Sequence, residues 1–156
     1  MEHQPPELPH LPAALQRRLG AALGWAAENA QDVANGALKP LGLNVKHFGV
    51  MTLLSQEKEP DSEAHSQQRI GERLRIDRTT MVALIDDLER AGYVKRKRNP
   101  VDRRAYVITM TAAGRKAQKR AEEAIDADAL QFFGRLSEPE RQELHRLLRR
   151  LNGEVD

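Results

Sequence analysis

Apolar residues recur at steps of three and four along most of this 156-residue chain, and the breaks in that rhythm divide it into helices. From about Pro12 to Leu38, Leu15, Leu19, Leu23, Ala26, Ala30, Val33 and Ala37 hold one stripe, which predicts a long amphipathic helix. Gly20 and Gly24 weaken that helix by up to ~1 kcal/mol each relative to alanine. Pro40 ends it, and Leu41-Gly42-Leu43 is the connection. Asn44 is placed to cap a second helix over 45–56, with Phe48, Met51, Leu53 and Leu54 as core candidates. A polar loop containing Pro60 follows over 57–63. Ser66 then caps a short third helix carrying Ile70 and Leu74 inward. Asp77 opens a fourth helix that runs to Ala91, with Met81, Leu84, Ile85 and Leu88 on one face.

After Gly92 the rhythm becomes an alternation. Val94-Lys95-Arg96-Lys97-Arg98 reads as a basic strand, residues 99–104 as a charged tip, and Tyr106-Val107-Ile108-Thr109-Met110 as the returning strand. A fifth helix is predicted from about Ala112 to Leu136. Ser137, Glu138, Pro139 and Glu140 start a sixth, with Leu144, Leu147, Leu148 and Leu151 along one stripe. The predicted fold class is mainly α with a small β-hairpin wing. A winged helix-turn-helix over 41–111 is flanked by a mobile arm (1–11) and by helical segments (12–40 and 112–156). Amphipathic terminal helices with no sheet to cover must bury their stripes against each other or against another chain. A homodimer is the expectation; three-helix packing within a monomer is the alternative.

Composition narrows the chemistry. The charged fraction is 31% and the aromatic fraction 4%, which suits helices with exposed faces, and the net charge is only +2. The distribution of charge says more than the total. Lys95, Arg96, Lys97, Arg98, Arg103 and Arg104 crowd the hairpin against one acid, Asp102, and such clustering attracts phosphate. There are no cysteines, so disulfides and thiolate metal sites are excluded and a reducing, cytoplasmic setting is expected. The N-terminus has no apolar core of a secretory signal, and no apolar run of ~18 residues points to a membrane span. The five histidines lie scattered, without metal-ligand spacing, and no phosphate-binding glycine loop occurs. No enzyme, cofactor or metal site is expected.

A helix exposing short polar side chains beside a cationic hairpin is a device for reading duplex DNA. With the apolar face of the fourth helix turned inward, Thr79, Thr80, Val82, Ala83 and Asp86 lie on or near the outer arc. Threonine hydroxyls suit base edges or phosphates, and the methyls of Val82 and Ala83 suit thymine methyls. Arg78 reads either as a contact to guanine or phosphate or as a first-turn arginine on its own backbone. Asp86 and Asp87 face an anion poorly and belong at the far end of the helix. Ser66, Gln67 and Gln68 begin the preceding helix, where free N–H groups favour phosphate. Lys95, Arg96, Lys97 and Arg98 alternate, so about half face DNA and half solvent.

Three stretches, in this order and spacing, resemble the MarR (multiple antibiotic resistance regulator) family of winged-helix transcription regulators. They are Leu88-Glu89-Arg90-Ala91-Gly92-Tyr93-Val94, Asp102-Arg103-Arg104 with Val107-Ile108-Thr109-Met110-Thr111, and Thr111-Ala112-Ala113-Gly114-Arg115; Gly42-Leu43-Asn44 also fits. The resemblance covers about residues 12–151. It implies a dimeric regulator, most simply a repressor, that binds pseudo-palindromic double-stranded DNA and is often released by a small aromatic, phenolic or anionic ligand. It also implies that Asp102 orients Arg104, which enters the minor groove beside Arg103. The family's ligand pocket lies between the helical region and the winged unit. Its nearest candidates here are Trp25, Asn29, His47 and Met51. Trp25 equally fits a core or interface anchor, and His47 a surface or core-edge histidine. A constitutive or architectural DNA-binding protein without an effector, and a winged helix that binds protein instead of DNA, are the readings that compete.

Overall fold

A computed structural model describes residues 10–56, 65–99, 102 and 106–154. Its elements are α1 (Leu19–Leu38), a 3-10 turn (Lys39–Leu41), α2 (Val45–Gln56), α3 (Gln67–Leu74), α4 (Arg78–Arg90), β1 (Val94–Arg98), β2 (Tyr106–Met110), α5 (Ala112–Phe133) and α6 (Glu138–Leu151). Nearly all of the expected arm, 1–11, and the polar loop lie outside the described residues. The chain divides into two compact units, one of residues 35–125 and one combining the segments before and after it.

Residues 35–125 form the winged unit. Its core draws Leu38 from the end of α1, Val50, Met51 and Leu54 from α2, Ile70 from α3, and Met81, Leu84, Ile85 and Leu88 from α4. Val94 and Ile108 of the hairpin and Ala117 and Ala121 of α5 complete it. All four inward residues expected on α4 are buried. The α2 cap is doubled: Asn44 Oδ1 accepts from the N–H groups of Lys46 and His47, both at 3.0 Å, and Asn35 Oδ1 accepts from Val45 N at 2.9 Å. Arg75 takes a left-handed conformation (φ 53°) in the turn between α3 and α4, and Ile76 N donates to Gly71 O at 2.8 Å. A Cβ at Gly71 would sit 3.0 Å from both Ile76 O and Met81 Cγ, so this turn closes tightly on a glycine. Strands β1 and β2 pair antiparallel from Val94↔Met110 to Arg98↔Tyr106, and Ser66 bridges Val107 from the strand's other edge.

The other unit holds the start of α1, the end of α5 and α6. Helix α1 begins at Leu19, later than its stripe predicts. Leu15 N bonds Pro12 O and Arg18 N bonds Leu15 O, so residues 12–18 wind as three-residue turns. Leu15 and Leu19 are exposed, and no packing in the chain offsets the poor local propensity near Gly20. Helix α5 stops at Phe133, ahead of Leu136, because Gly134 follows and Arg135 donates to the carbonyls of Gln131 and Phe132. The start of α6 is capped as expected, with Ser137 N donating to Glu140 Oε2 at 2.7 Å. No residue of α6 is buried, and Leu19, Leu130 and Leu151 are 80%, 62% and 69% exposed. This unit therefore presents apolar surface that the chain alone leaves uncovered.

Candidate nucleic-acid interface

Helix α4 is positioned by its cap. Asp77 Oδ1 accepts from Thr80 N at 2.9 Å, and Asp77 Oδ2 accepts from the Thr80 hydroxyl at 2.6 Å. Arg78, Thr79, Val82 and Ala83 are exposed on its outer face, while Thr80 is half-buried with its hydroxyl proton committed to the cap. The Thr80 hydroxyl and N–H hold the Asp77 carboxyl below its ordinary range. A depressed native value means that the cap's contribution is present above the unfolded pKa, about 4, and is lost as pH falls through the lower native value. Asp77→Ala should therefore lower the urea midpoint at pH 7, with the gap from the parent closing below about pH 4. A gap independent of pH would remove the charged cap from this account.

At the start of α3, Ser66 Oγ accepts from Arg69 N at 3.3 Å; Gln67 is half-buried and Gln68 is exposed, donating to Glu72 Oε1 at 2.9 Å. In the hairpin, Lys95, Lys97 and Arg98 are exposed. The sequence places Arg96 among the cations offered to DNA; in the fold its guanidinium is held by two carboxylates of α4. Arg96 Nη2 donates to Asp86 Oδ1 at 2.5 Å, Nη1 donates to Glu89 Oε2, and the Arg96 backbone N–H donates to Glu89 Oε1 at 3.1 Å. This fork ties the wing to the C-terminal half of α4 and neutralises acids that would otherwise face an anion. Asp86 and Glu89 stand one turn apart on α4, a spacing that hints at a shared partner without naming it. Alternation along β1 puts Lys95 and Lys97 on the hairpin face opposite Arg96. At the tip, Asn99 is buried and its Oδ1 accepts from Asp102 N at 3.3 Å; Asp102 is exposed. Arg103 and Arg104 lie outside the described residues.

The candidate ligand residues divide between the units. On α1, Trp25 is half-buried and Asn29 buried; on α2, His47 and Met51 are both buried. His47 braces the start of α2 and reaches toward α4. Its Nδ1 accepts from Asn44 N at 3.2 Å, and its Nε2 lies 3.6 Å from Asp87 Oδ2. Burial lowers its pKa, and Asp87 opposes that shift. Among the described residues no group of three acids or histidines could hold a metal ion, and no helix is long and apolar enough to cross a membrane.

This arrangement has relatives. The sequence profile of the MarR family matches residues 41–105. The HTH-type transcriptional repressor Rv2887 of Mycobacterium tuberculosis is 31% identical over 120 residues, which make up 77% of this chain and 83% of that protein. The chain belongs to the MarR family. It is thus a winged-helix regulator by kinship as well as by fold. A regulatory protein of Thauera aromatica named for the hcr operon is 37% identical over 86 residues, and the match spans about half (52%) of that relative. Among solved MarR-family structures, Rv2887 in complex with salicylic acid has a TM-score of 0.70 at 30% identity, covering 88% of this chain and 98% of that one. Rv2887 in complex with DNA has a TM-score of 0.70 at 28% identity, covering 85% and 96%. CouR of Rhodococcus jostii RHA1, bound to p-coumaroyl-CoA, has a TM-score of 0.73 at 26% identity, covering 92% and 98%. MarR proteins are regulators of transcription.

Proposed function

We propose that this MarR-family protein is a cytoplasmic, non-enzymatic repressor that binds a pseudo-palindromic operator as a homodimer. The observation that carries the reading is the exposed Arg78–Thr79–Val82–Ala83 face of α4 standing beside a cationic hairpin pinned to the same helix. In this reading α4 enters the major groove, where Thr79 and Arg78 reach base edges or phosphates and the methyls of Val82 and Ala83 meet thymine. Ser66, Gln67 and Gln68 hold backbone phosphates. Arg98 and the tip residues Asp102, Arg103 and Arg104 engage the adjacent minor groove, where narrow A·T-rich tracts carry the strongest negative potential. The uncovered leucines of α1, α5 and α6 supply the dimer contact. The ligand-bound and DNA-bound states of Rv2887 support release by a small aromatic or anionic effector. Trp25, Asn29, His47 and Met51 are its proposed contacts.

Selection from a random duplex library is the deciding experiment. The expected winner is an inverted repeat with half-sites about 34–36 Å apart and A·T-rich flanks. A single asymmetric site, or no enrichment, would overturn the proposal. Each neutralised phosphate adds roughly −0.9 to the slope of log K against log salt, so a dimer making about six to eight such contacts should show a slope between about −5 and −7. A slope near zero would remove phosphate from the interface.

A further inference from the structure

We propose that His47 is a proton-sensitive latch: its neutral ring closes the start of α2 and braces it against α4, and acidification opens the latch and weakens the grip on DNA. The effect on DNA rests on the operator reading above; the effect on the fold does not. The observation is a capping box whose second member titrates. Asn44 caps α2, and its Oδ1 accepts from His47 N at 3.0 Å. His47, three residues on, answers through Nδ1, which accepts from Asn44 N at 3.2 Å. Glutamate or glutamine ordinarily fills that position and answers with a side-chain oxygen. An imidazole accepts there while it is neutral, and with Nδ1 engaged as acceptor its proton sits on Nε2. That nitrogen is buried, has no hydrogen-bond partner among the described residues, and lies 3.6 Å from Asp87 Oδ2 on α4.

Protonation reverses each of these terms. A proton on Nδ1 sets a donor against the Asn44 N–H, so one of the reciprocal bonds breaks. A positive charge appears in the first turn of α2, where the helix dipole disfavours a cation, and on a ring that is 6% exposed. Asp87 is the charged group facing the ring from α4. Its side chain is half in solvent and its other oxygen already pairs with Arg90 Nη1 at 2.9 Å, so it offsets part of that cost. Lys46, beside His47 on α2, is exposed and adds repulsion. Among the described residues no charged group of α1, α3, α5 or the hairpin stands within ion-pair reach of the ring. Burial holds the imidazole below its ordinary range, with Asp87 opposing. A depressed native value means that the neutral ring's contribution is complete above the unfolded value, about 6.5, and is lost as pH falls through the lower native one. The capping box of α6 is a built-in reference. Ser137 N and its hydroxyl hold the Glu140 carboxyl below its ordinary range, so that box stays shut at a pH that opens the one on α2. A histidine exposed beside DNA gains affinity on protonation by adding a cation against phosphate. The latch predicts the opposite sign.

The test uses the full chain. An NMR titration from about pH 8 to about pH 5 should show the His47 proton on Nε2 at the alkaline end and titration below about 6.5. The amides of Asn44, Val45, Lys46 and His47 should move with it. Affinity for the selected operator, at fixed salt, should fall roughly fivefold or more between about pH 7.5 and about pH 5.5. His47→Gln keeps a side-chain acceptor at the same position with nothing to titrate, so it should flatten that profile and the accompanying fall in urea midpoint. Titration of His47 at or above its ordinary value, an Asn44 amide that ignores it, or the parent's pH profile persisting in His47→Gln would overturn the latch. So would operator binding that tightens on acidification. If no duplex binds at any pH, the operator reading fails alone, and the parent's NMR titration and urea midpoints still decide the latch.

Discussion

Replacing Gly114 with alanine should unfold the winged unit or leave it only marginally stable. An added Cβ would lie 2.1 Å from Tyr93 O and 2.9 Å from Met110 Cγ, far inside contact distance of a backbone atom that cannot step aside. Tyr93 O is fixed by Thr111 N at 3.0 Å, and Thr111 Oγ1 reaches Gly92 O at 2.7 Å while accepting from Gly114 N at 3.0 Å. One knot thus joins the exit of α4, the end of β2 and the start of α5, and moving any part moves the hairpin against the helix. Overpacking of a closed site costs roughly 1–3 kcal/mol and more where nothing can relax, and we place this substitution at about 3 kcal/mol or above. That is a large share of the ~5–15 kcal/mol of a typical domain. Gly36→Ala is the control: nothing lies within 4 Å of its added Cβ, and an exposed glycine in the last turn of α1 should gain at most ~1 kcal/mol from the change. Urea midpoints measure both, and equal stability of Gly114→Ala and the parent would show that the close approach is not real.

Arg96→Ala should weaken operator binding at least tenfold, about 1.4 kcal/mol, with helix content and oligomeric state retained. The loss has two sources. Asp86 and Glu89 become unneutralised carboxylates on a helix that faces a polyanion, and the hairpin loses the fork that sets its angle to α4. Arg96→Lys should recover little, because an ammonium cannot span two carboxylates as a planar guanidinium does. The double variant Asp86→Ala/Glu89→Ala separates this clamp from direct contact. With both acids removed, further loss of Arg96 should leave binding nearly level if Arg96 acts through them; a further marked fall measured by fluorescence anisotropy would show that Arg96 itself grips DNA and would sink the clamp.

Some of this molecule is readable residue by residue and some only in the folded chain, and the division follows the range of the forces. Caps and helix faces depend on neighbours within one or two turns. Asp77, Ser66, Asn44 and Ser137 therefore announce the starts of their helices, and Met81, Leu84, Ile85 and Leu88 announce the buried face of α4. The hairpin is legible for the same reason, since its alternation and its charged tip are local. Burial contributed by distant elements is harder to see: Val50, Leu38 and Val107 are fully buried without standing out in their own segments.

Periodicity and capping act over short range, so the order of residues alone specifies a winged helix-turn-helix with a cationic wing and apolar terminal helices. Which of the hairpin's like charges already have partners is settled at long range, by the packing of the folded chain. Arg96 and its neighbours Lys95 and Lys97 are indistinguishable as a run of cations. Folding turns Arg96 toward two acids ten and seven residues away and leaves Lys95 and Lys97 exposed on the opposite face of the hairpin. Packing also explains why Gly114 must be glycine and why His47 belongs to the join between α2 and α4, since each answer rests on an atom brought close by chain reversal, beyond the reach of local pattern.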